Sequence, residues 1–549
     1  MWAQRSLRPL RSQLHRTVRF SRKYNGNQYQ GPHTTYFQQP PEPPKARRSY
    51  FRSILISCTF IALGAFGHAY LFDVSDLGLI VSEDVADAGE DLSVAMAAAA
   101  QDTAARQVPM MDMITAQEFL ELRATHSVTA KAVAHSCQLP SNLPCEDAVH
   151  SGVYELFHDP LKDWAVWSVF DGHAGPRTAQ LLKEFLPVIV GGKLYEDKCL
   201  DRSYVPNDYQ IIRTIKNAFT ELDHDILLEA SQRVQSGEGD LAHGIHITAA
   251  ALSGSCALLA LFDPARSILR VANTGDSRAV LGRWDAKAGK YIAQPMSIDQ
   301  TGFNQSEVER LDREHPNEAS SVDPKTGRVH GIMISRAFGD ARWKWPNELS
   351  KMVQEKFFGP PPRPDGMIKT PPYLTAEPEV METEVQTGER PDFLIMASDG
   401  LWDNMSSEDA VTCVQLWLDK NKPDKFIEEK QTFMQSLSEI FSSRKDPSQQ
   451  LKRRRNILVD DQDPNMDEET YYDEIERTMK WRVSPKHFIV EDEHCGVHLI
   501  KNALGGKRRN LFRGVMSIQP PLSRNVRDDI SVHVIFFGVD AQEALKSGV

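Results

Sequence analysis

WAVWSVFDGHAG, residues 164–175, joins an apolar run of seven residues to a polar, glycine-containing turn. The run is rich in Val, Trp and Phe and is too short for a typical helix, which predicts a buried β-strand. Asp171 directly follows it. Two further apolar runs carry an acid at one end: Asp399 follows FLIMAS, and Asp528 lies just before ISVHVIFF. Because strands of one sheet bring their ends together, we expect these three carboxylates to converge.

Converging carboxylates indicate a metal site. They repel one another unless they are protonated or bridged by a cation. A set of oxygen ligands without Cys or obvious His ligands suits Mg²⁺ or Mn²⁺ better than zinc. Gly172 and Gly400 directly follow two of the aspartates and would let a metal or its waters approach the backbone. A single Asp-Gly pair is equally typical of an ordinary turn, so the prediction depends on the three contexts together.

The composition is that of a large globular protein. The chain has 549 residues, a formal net charge of −12 and 41% hydrophobic residues. This length predicts one large domain with appendages, or several domains. The acidic total counts against a nucleic-acid-binding protein, which would normally carry a basic face. The seven cysteines are scattered without C-x-x-C spacing, which supports neither a disulfide framework nor a structural zinc site.

The first 72 residues differ from the rest in charge. They contain eleven Lys or Arg and one acid, Glu42. The Arg-rich, acid-free start predicts a mitochondrial transit peptide followed by a linker at 1–52, with a basic disordered tail as the alternative. The mostly apolar segment 53–72 is long enough to span a bilayer and predicts a transmembrane anchor in the mitochondrial inner membrane, with a buried soluble helix as the alternative.

The orientation of that anchor stays open. Basic residues precede 53–72 and acidic residues follow it. The positive-inside bias would then place the bulk of the chain in the intermembrane space. Import of the whole chain into the matrix, or cleavage after the anchor, are the other possibilities.

The remainder predicts a linker and one catalytic domain. Residues 73–125 are Ala- and Asp-rich and predict a linker with a short helix. Short β-type runs alternate with helical stretches over 126–540. The sequence ILRVANTGDSRAVLGR predicts a hairpin that turns at 274–277. The highly charged stretch at about 421–493 predicts an insertion outside the core.

Eight motifs in order resemble the metal-dependent protein phosphatases of type 2C. They are CEDAVH (145–150), VFDGHAG (169–175), GSCALLALFD (254–263), ANTGDSRAVLG (272–282), ISRAFGD (334–340), LTAEPEV (374–380), IMASDGLWD (395–403) and RDDISV (527–532). The resemblance covers about 400 residues. It implies an α+β fold, an αββα sandwich of two antiparallel sheets flanked by helices, and a serine/threonine phosphatase with two Mg²⁺ or Mn²⁺ ions.

Longer stretches are similar to the pyruvate dehydrogenase phosphatase branch of that family, in its fungal mitochondrial type. They are SNLPCEDA (141–148), residues 297–322, residues 328–346 and HLIKNALGG (498–506). This similarity implies a phosphoprotein substrate, the α subunit of pyruvate dehydrogenase, which lies in the matrix. The charge bias around 53–72 instead favours a domain in the intermembrane space, so the substrate and the location stay open.

The resemblance also implies roles for single residues. The expected metal ligands are Asp171, the Gly172 carbonyl, Asp399 and Asp528, with Glu146 and Asp147 acting through coordinated water or as neighbouring partners, and Asp276 at an additional, weaker metal. Two metals would activate a bridging water for attack on phosphorus. His173 would protonate the departing serine or threonine oxygen.

Several residues have a structural alternative. Asp276 and His173 could be ordinary turn residues, Asp340 a structural loop residue, and Arg336 an ion-pair partner. Many family members have an arginine that binds the substrate phosphate four residues before the glutamate, where this chain has Asn142. The branch also has Asn there. Loss of a bidentate clamp predicts poor activity on small esters such as p-nitrophenyl phosphate.

Two classes of function are compatible with these observations. One is an active phosphatase, acting on pyruvate dehydrogenase or on an intermembrane-space substrate. The other is a membrane-anchored, phosphatase-like scaffold without turnover. Degenerate family members usually lose a metal aspartate, and all three are present here, which favours the enzyme.

Overall fold

The computed structural model describes residues 110–129, 131–155, 162–200, 207–237, 240–318, 321–421, 470–473 and 478–539. The predicted transit peptide and linker at 1–52, the predicted anchor at 53–72 and most of the predicted linker at 73–125 lie outside these residues. Among the described residues, none of the helices combines the length and the apolar character needed to cross a membrane.

Strands and helices alternate along the described chain. The strands are β1 (Ala124–Val128), β2 (Ala132–Leu139), β3 (Ala148–Tyr154), β4 (Trp164–Phe170), β5 (Gly172–His173), β6 (Gly254–Ser255), β7 (Ala257–Asp263), β8 (Ile268–Thr274), β9 (Arg278–Asp285), β10 (Lys290–Pro295), β11 (Phe338–Gly339), β12 (Glu379–Glu384), β13 (Phe393–Ala397), β14 (Thr470–Asp473), β15 (Thr478–Trp481) and β16 (Ile530–Phe537). The α-helices are α1 (Met113–Glu121), α2 (Arg177–Glu196), α3 (Asp208–Ser236), α4 (Leu241–Leu252), α5 (Gln305–Glu314), α6 (Ala341–Lys344), α7 (Asn347–Phe357), α8 (Asp399–Trp402), α9 (Ser407–Leu418), α10 (Cys495–Ala503) and α11 (Arg509–Ser517).

Two large antiparallel sheets form the centre of the domain. Sheet I has the strand order β1-β2-β16-β13-β9-β10, and sheet II has the order β12-β8-β7-β4-β3. A small sheet, β11-β6-β5, and the hairpin β14-β15 complete the described strands.

Both faces of each sheet are buried. Along β4, Ala165, Trp167 and Val169 face a cluster that also contains residues of sheet I. The alternate residues, such as Val166 and Phe170, pack with α2, α3, α4 and α7. Because side chains alternate across a strand, burial on both faces gives the unbroken apolar run seen in the sequence.

Sheet I is covered in the same way on its outer face. Alternate residues of β13 pack with α1, α9, α10 and α11, and the others face sheet II. The layers are therefore helices, sheet, sheet and helices. This confirms the α+β, αββα four-layer sandwich.

Two segments expected outside the core belong to it. Helix α1 lies within the predicted linker at 73–125, but its Ala116 and Leu120 are fully buried in the outer cluster of sheet I. The C-terminal part of the predicted insertion at 421–493 is also core, since Trp481 and Phe488 are buried in the same cluster. The high charge of the whole stretch led to its assignment as an insertion, although these few apolar residues belong to the core.

The predicted hairpin at 274–277 is wrong. Strand β8 pairs with β7 and β12 in sheet II, whereas β9 pairs with β13 and β10 in sheet I. The turn therefore carries the chain from one sheet to the other. Gly275 has a φ of +108°, a region that favours glycine, and a Cβ there would lie 2.3 Å from the Cys256 Sγ. The turn residues predict a reversal but not which sheet receives the next strand.

Candidate active site

Strand register gathers acidic residues at one edge of sheet II. Ala148 pairs with Phe170, so Asp147 and Asp171 lie side by side at the ends of β3 and β4. Ala257 pairs with Thr274, which brings Cys256 next to the turn that contains Asp276.

Asp171, Cys256 and Asp276 form a compact group. Each offers a ligand atom, and these atoms lie within 4.8 Å of one another. The thiol of Cys256 donates to Asp276 Oδ1 at 3.2 Å. The structure thus adds a thiol to the oxygen donors that the sequence predicts.

Sheet I contributes Asp399 and Asp528 at the same edge. Asp399 begins helix α8, and its backbone N–H donates to Asp171 Oδ2 at 3.3 Å. Asp528 lies beside that helix, because its Cβ is 3.2 Å from where a Cβ on Gly400 would stand. The Asp528 carboxylate forms an ion pair with Arg524. The edge therefore lies where the two sheets meet.

Asp529 holds the loop 141–147 against this edge. Its carboxylate accepts hydrogen bonds from the backbone N–H groups of Ser141, Asn142, Glu146 and Asp147, the last three at 3.1, 2.8 and 3.3 Å. The Ser141 hydroxyl donates to it as well, at 2.9 Å. A buried carboxylate with several N–H donors fixes backbone geometry firmly.

Glu146 connects this loop to the DGHAG turn. Its Oε1 accepts from the Gly175 N–H at 2.5 Å, and its Oε2 accepts from Asn142 Nδ2 at 2.8 Å. A Cβ on Gly172 would lie 2.2 Å from the Glu146 carbonyl oxygen, so glycine permits this close approach. Burial raises the pKa of the Glu146 carboxyl.

The carboxylates at the edge destabilise one another's charge. Burial, and then the charges of neighbouring aspartates, raise the pKa of Asp171 and Asp399 well above the ordinary range. Burial together with the charge of Asp529 raises the pKa of Asp147 to about 7. Burial also raises the pKa of Asp276 to about 6. Neighbouring acids of this kind all remain ionised only when a cation lies nearby.

Two oxygens in the group support the same conclusion. Among the described residues, Asp147 Oδ2 and Asp399 Oδ1 are buried without a hydrogen-bond partner. Unpaired buried carboxylate oxygens are costly unless a cation binds them. The oxygen-rich donor set fits Mg²⁺ or Mn²⁺.

His173 is paired with Asp340. The His173 Nε2 and Asp340 Oδ2 atoms lie 2.8 Å apart, and Asp340 is almost fully buried. Burial lowers the pKa of His173, but the Asp340 carboxylate outweighs that effect, and the net result raises it to about 9. A Cβ on Gly254 would lie 2.1 Å from the His173 Nε2, so the pair depends on glycine there.

The roles of three residues at this edge were not predicted from the sequence, which left Asp340 as a structural loop residue. Asp529 orders the loop 141–147, Asp340 holds His173, and Cys256 joins the Asp171–Asp276 group. Each lies in a motif already quoted, but its role depends on contacts with residues far away in the chain. Arg336 is the expected ion-pair partner, since it binds the buried Glu307.

The match to known protein families agrees with this geometry. The family model described as Protein phosphatase 2C matches residues 139–438. This chain belongs to the protein phosphatase 2C family. It is a serine/threonine protein phosphatase.

Its curated relatives are phosphatases as well. A protein phosphatase 2C homolog of Schizosaccharomyces pombe is 36% identical and covers 73% of this chain and 79% of its own length. The mitochondrial pyruvate dehydrogenase phosphatase 1 of Saccharomyces cerevisiae is 33% identical, over 75% of this chain and 69% of its own. Its counterpart in Bos taurus is 29% identical, over 73% of this chain and 77% of its own length. A solved structure, the serine-threonine phosphatase 2C of Toxoplasma gondii, matches 75% of this chain and 99% of that one with a TM-score of 0.38 and 15% identity.

Proposed function

We propose that this chain is a mitochondrial, Mg²⁺- or Mn²⁺-dependent phosphatase that removes phosphate from serine or threonine of the pyruvate dehydrogenase α subunit and so reactivates that enzyme. The observation that carries the chemistry is the group of half-buried aspartates, Asp171, Asp276 and Asp399, where the two sheets meet. Such a group needs a divalent cation, and metal-assisted hydrolysis of a phosphate ester is the reaction that this cation supports.

The metal ligands would come from both sheets. Asp171 and the Gly172 carbonyl follow β4 of sheet II, whereas Asp399 follows β13 and Asp528 precedes β16, both strands of sheet I. Asp276 would serve an additional ion, and Glu146 and Asp147 would hold water or orient the ligands. A bound divalent cation lowers the pKa of water and offsets phosphoryl charge.

His173 would supply the proton to the departing oxygen. Its Nε2 is held by Asp340, which leaves Nδ1 as the nitrogen that can donate. The Asp340 carboxylate stabilises the protonated imidazole, as a general acid requires. Fixing one nitrogen also fixes the plane of the ring.

The substrate assignment rests on similarity. Two of the relatives above carry the name pyruvate dehydrogenase phosphatase and the word mitochondrial. The Arg-rich start of this chain is compatible with the same compartment. Asn142 supports the same branch, which also has asparagine at this position.

A comparison of two substrates tests the proposal. The full chain would be incubated with the phosphorylated pyruvate dehydrogenase α subunit and, in parallel, with an unrelated phosphothreonine peptide. Each reaction would contain Mg²⁺, Mn²⁺ or EDTA, and Asp399→Asn would serve as the inactive control. We expect metal-dependent release of phosphate that is faster on the dehydrogenase.

The other outcomes are distinct. Equal release from both substrates would retain the chemistry but contradict the substrate, and would favour a target in the intermembrane space. No release under any metal, with the protein folded, would contradict the enzyme and favour a scaffold.

A further inference from the structure

Position 142 cannot supply a positive charge in this chain. Asn142 is neutral, and its side-chain amide donates to Glu146 Oε2 at 2.8 Å. A transferring phosphoryl group carries negative charge that arginine binds well, through two parallel hydrogen bonds. Another cation near this position would therefore be needed.

The segment that carries Arg524 is bonded to the loop that contains position 142. The Ser523 hydroxyl donates to the Ser141 carbonyl oxygen at 2.6 Å, which joins the 3₁₀ turn at Leu522–Asn525 to the loop 141–147. The Asp529 carboxylate, five residues further on, binds the same loop through its backbone N–H groups. Arg524 is thus carried by a segment that is attached directly to this loop.

The guanidinium of Arg524 stands at the rim of the carboxylate group. Its Nη1 contacts Asp528 Oδ1, and its side chain is 44% exposed. Because this guanidinium contacts one carboxylate of the group and is partly exposed to solvent, a substrate phosphate can reach it.

Two other arginines near the motifs are already engaged. Arg278 binds Asp299 through Nε and Nη2, at 3.0 and 2.5 Å. Arg336 is buried and binds Glu307. The ion pair of Arg524 lies at the partly exposed rim, and an arginine has five N–H donors in a planar fork.

We propose that Arg524 binds the phosphoryl oxygens of the substrate, in place of the arginine that position 142 lacks. This proposal rests on the proposed phosphatase function and deepens it. A cation held by the Asp528 carboxylate would weaken its ion pair with Arg524, and the guanidinium would then have donors available for the phosphate. The ligand is a phosphate monoester dianion or the inorganic phosphate product.

Product inhibition by inorganic phosphate tests the inference in the full chain. The inhibition constant of phosphate and the KM for a phosphothreonine peptide would be measured at saturating Mn²⁺. Arg524→Gln should raise both by about tenfold or more, the loss expected for a charged hydrogen bond. Arg524→Lys should retain part of the affinity. Adding Asn142→Arg to Arg524→Gln should restore phosphate binding.

Two controls separate phosphate binding from a structural role. Arg266→Gln removes an exposed arginine that is paired with Asp208 on sheet II's side of the domain, and it should leave both constants unchanged. The affinity for Mn²⁺ should stay equal or increase in Arg524→Gln, because Asp528 loses the competing positive charge of the guanidinium. A weaker Mn²⁺ affinity that accounts for the lost activity would overturn the inference. If the wild type is active and the phosphate inhibition constant of Arg524→Gln lies within twofold of the wild-type value, the inference is also overturned. The phosphatase function would then remain. A wild type that releases no phosphate would overturn both.

Discussion

His173 and Asp340 show how a single contact gives a side chain a chemical task. The histidine follows β4 in sequence, and the aspartate lies 167 residues later, yet their side-chain atoms lie 2.8 Å apart. Positioning of a general acid by a buried carboxylate raises the rate only where the leaving group needs a proton.

The loss of turnover in the Asp340→Asn variant should therefore depend on the leaving group of the substrate. We expect turnover of a phosphothreonine peptide to fall by about a hundredfold, the lower end of general-acid effects. Turnover of p-nitrophenyl phosphate should fall far less, since p-nitrophenolate leaves without protonation. Steady-state kinetics on both substrates would check this, with Asp208→Asn as an exposed control. Equal losses on the two substrates would mean that Asp340 has a structural role only.

At the scale of elements, helix α5 is fixed to the domain by a buried charge network. Glu307 is almost fully buried and accepts hydrogen bonds from Arg310, Arg336 and the Ser335 hydroxyl. Burial raises the pKa of Glu307, but the bond and charge of Arg336 and the charge of Arg310 outweigh it. The net result lowers this pKa from its ordinary value of 4.5 to about 2.

This network predicts acid-sensitive stability. A depressed pKa contributes stability that is fully present above about pH 5 and is lost as the pH falls towards 2; the shift corresponds to about 3 kcal/mol. Glu307→Gln should lower the free energy of unfolding at pH 7 by a similar amount and flatten its dependence on pH between 5 and 3. Urea unfolding at several pH values measures both. Glu314→Gln, at the exposed partner of Arg310, should change little, and an equally steep pH dependence in Glu307→Gln would contradict the assignment.

The elements also show which features a sequence can predict. The apolar runs at β4, β13 and β16 identified three buried strands, because burial on both faces leaves an unbroken apolar pattern. The sheet that each strand joins could not be predicted: only three residues separate β8 from β9, but the two strands belong to different sheets. Pairing partners are chosen by contacts distant in sequence. The roles of Asp529 and Asp340 were not predicted for the same reason, whereas aspartates at strand ends could be identified from their neighbours alone.

At the scale of the whole molecule, the candidate metal site joins the two sheets. Asp171 comes from sheet II, and Asp399 from sheet I. A cation between them would neutralise carboxylates whose repulsion weakens the contact between the sheets. Metal binding should therefore stabilise the fold as well as support catalysis.

Metal removal should accordingly lower stability. At a Mn²⁺ concentration a hundred times its dissociation constant, the free energy of unfolding should rise by about 2.7 kcal/mol relative to EDTA. Asp399→Asn should lose most of this increment without being less stable than wild type in EDTA, since it removes a repelling charge. Thermal unfolding with and without Mn²⁺ measures both values. A wild type with the same stability in Mn²⁺ and EDTA would show that no cation binds the group.

The most direct test of the account is the metal dependence of phosphate release by the full chain from a phosphothreonine peptide. We predict release that saturates with Mn²⁺, stops in EDTA and returns when Mn²⁺ is added back, with Asp399→Asn at the background rate throughout. Undiminished release in EDTA, or a fully active Asp399→Asn variant, would contradict the claim that the carboxylate group between the two sheets is the catalytic metal site.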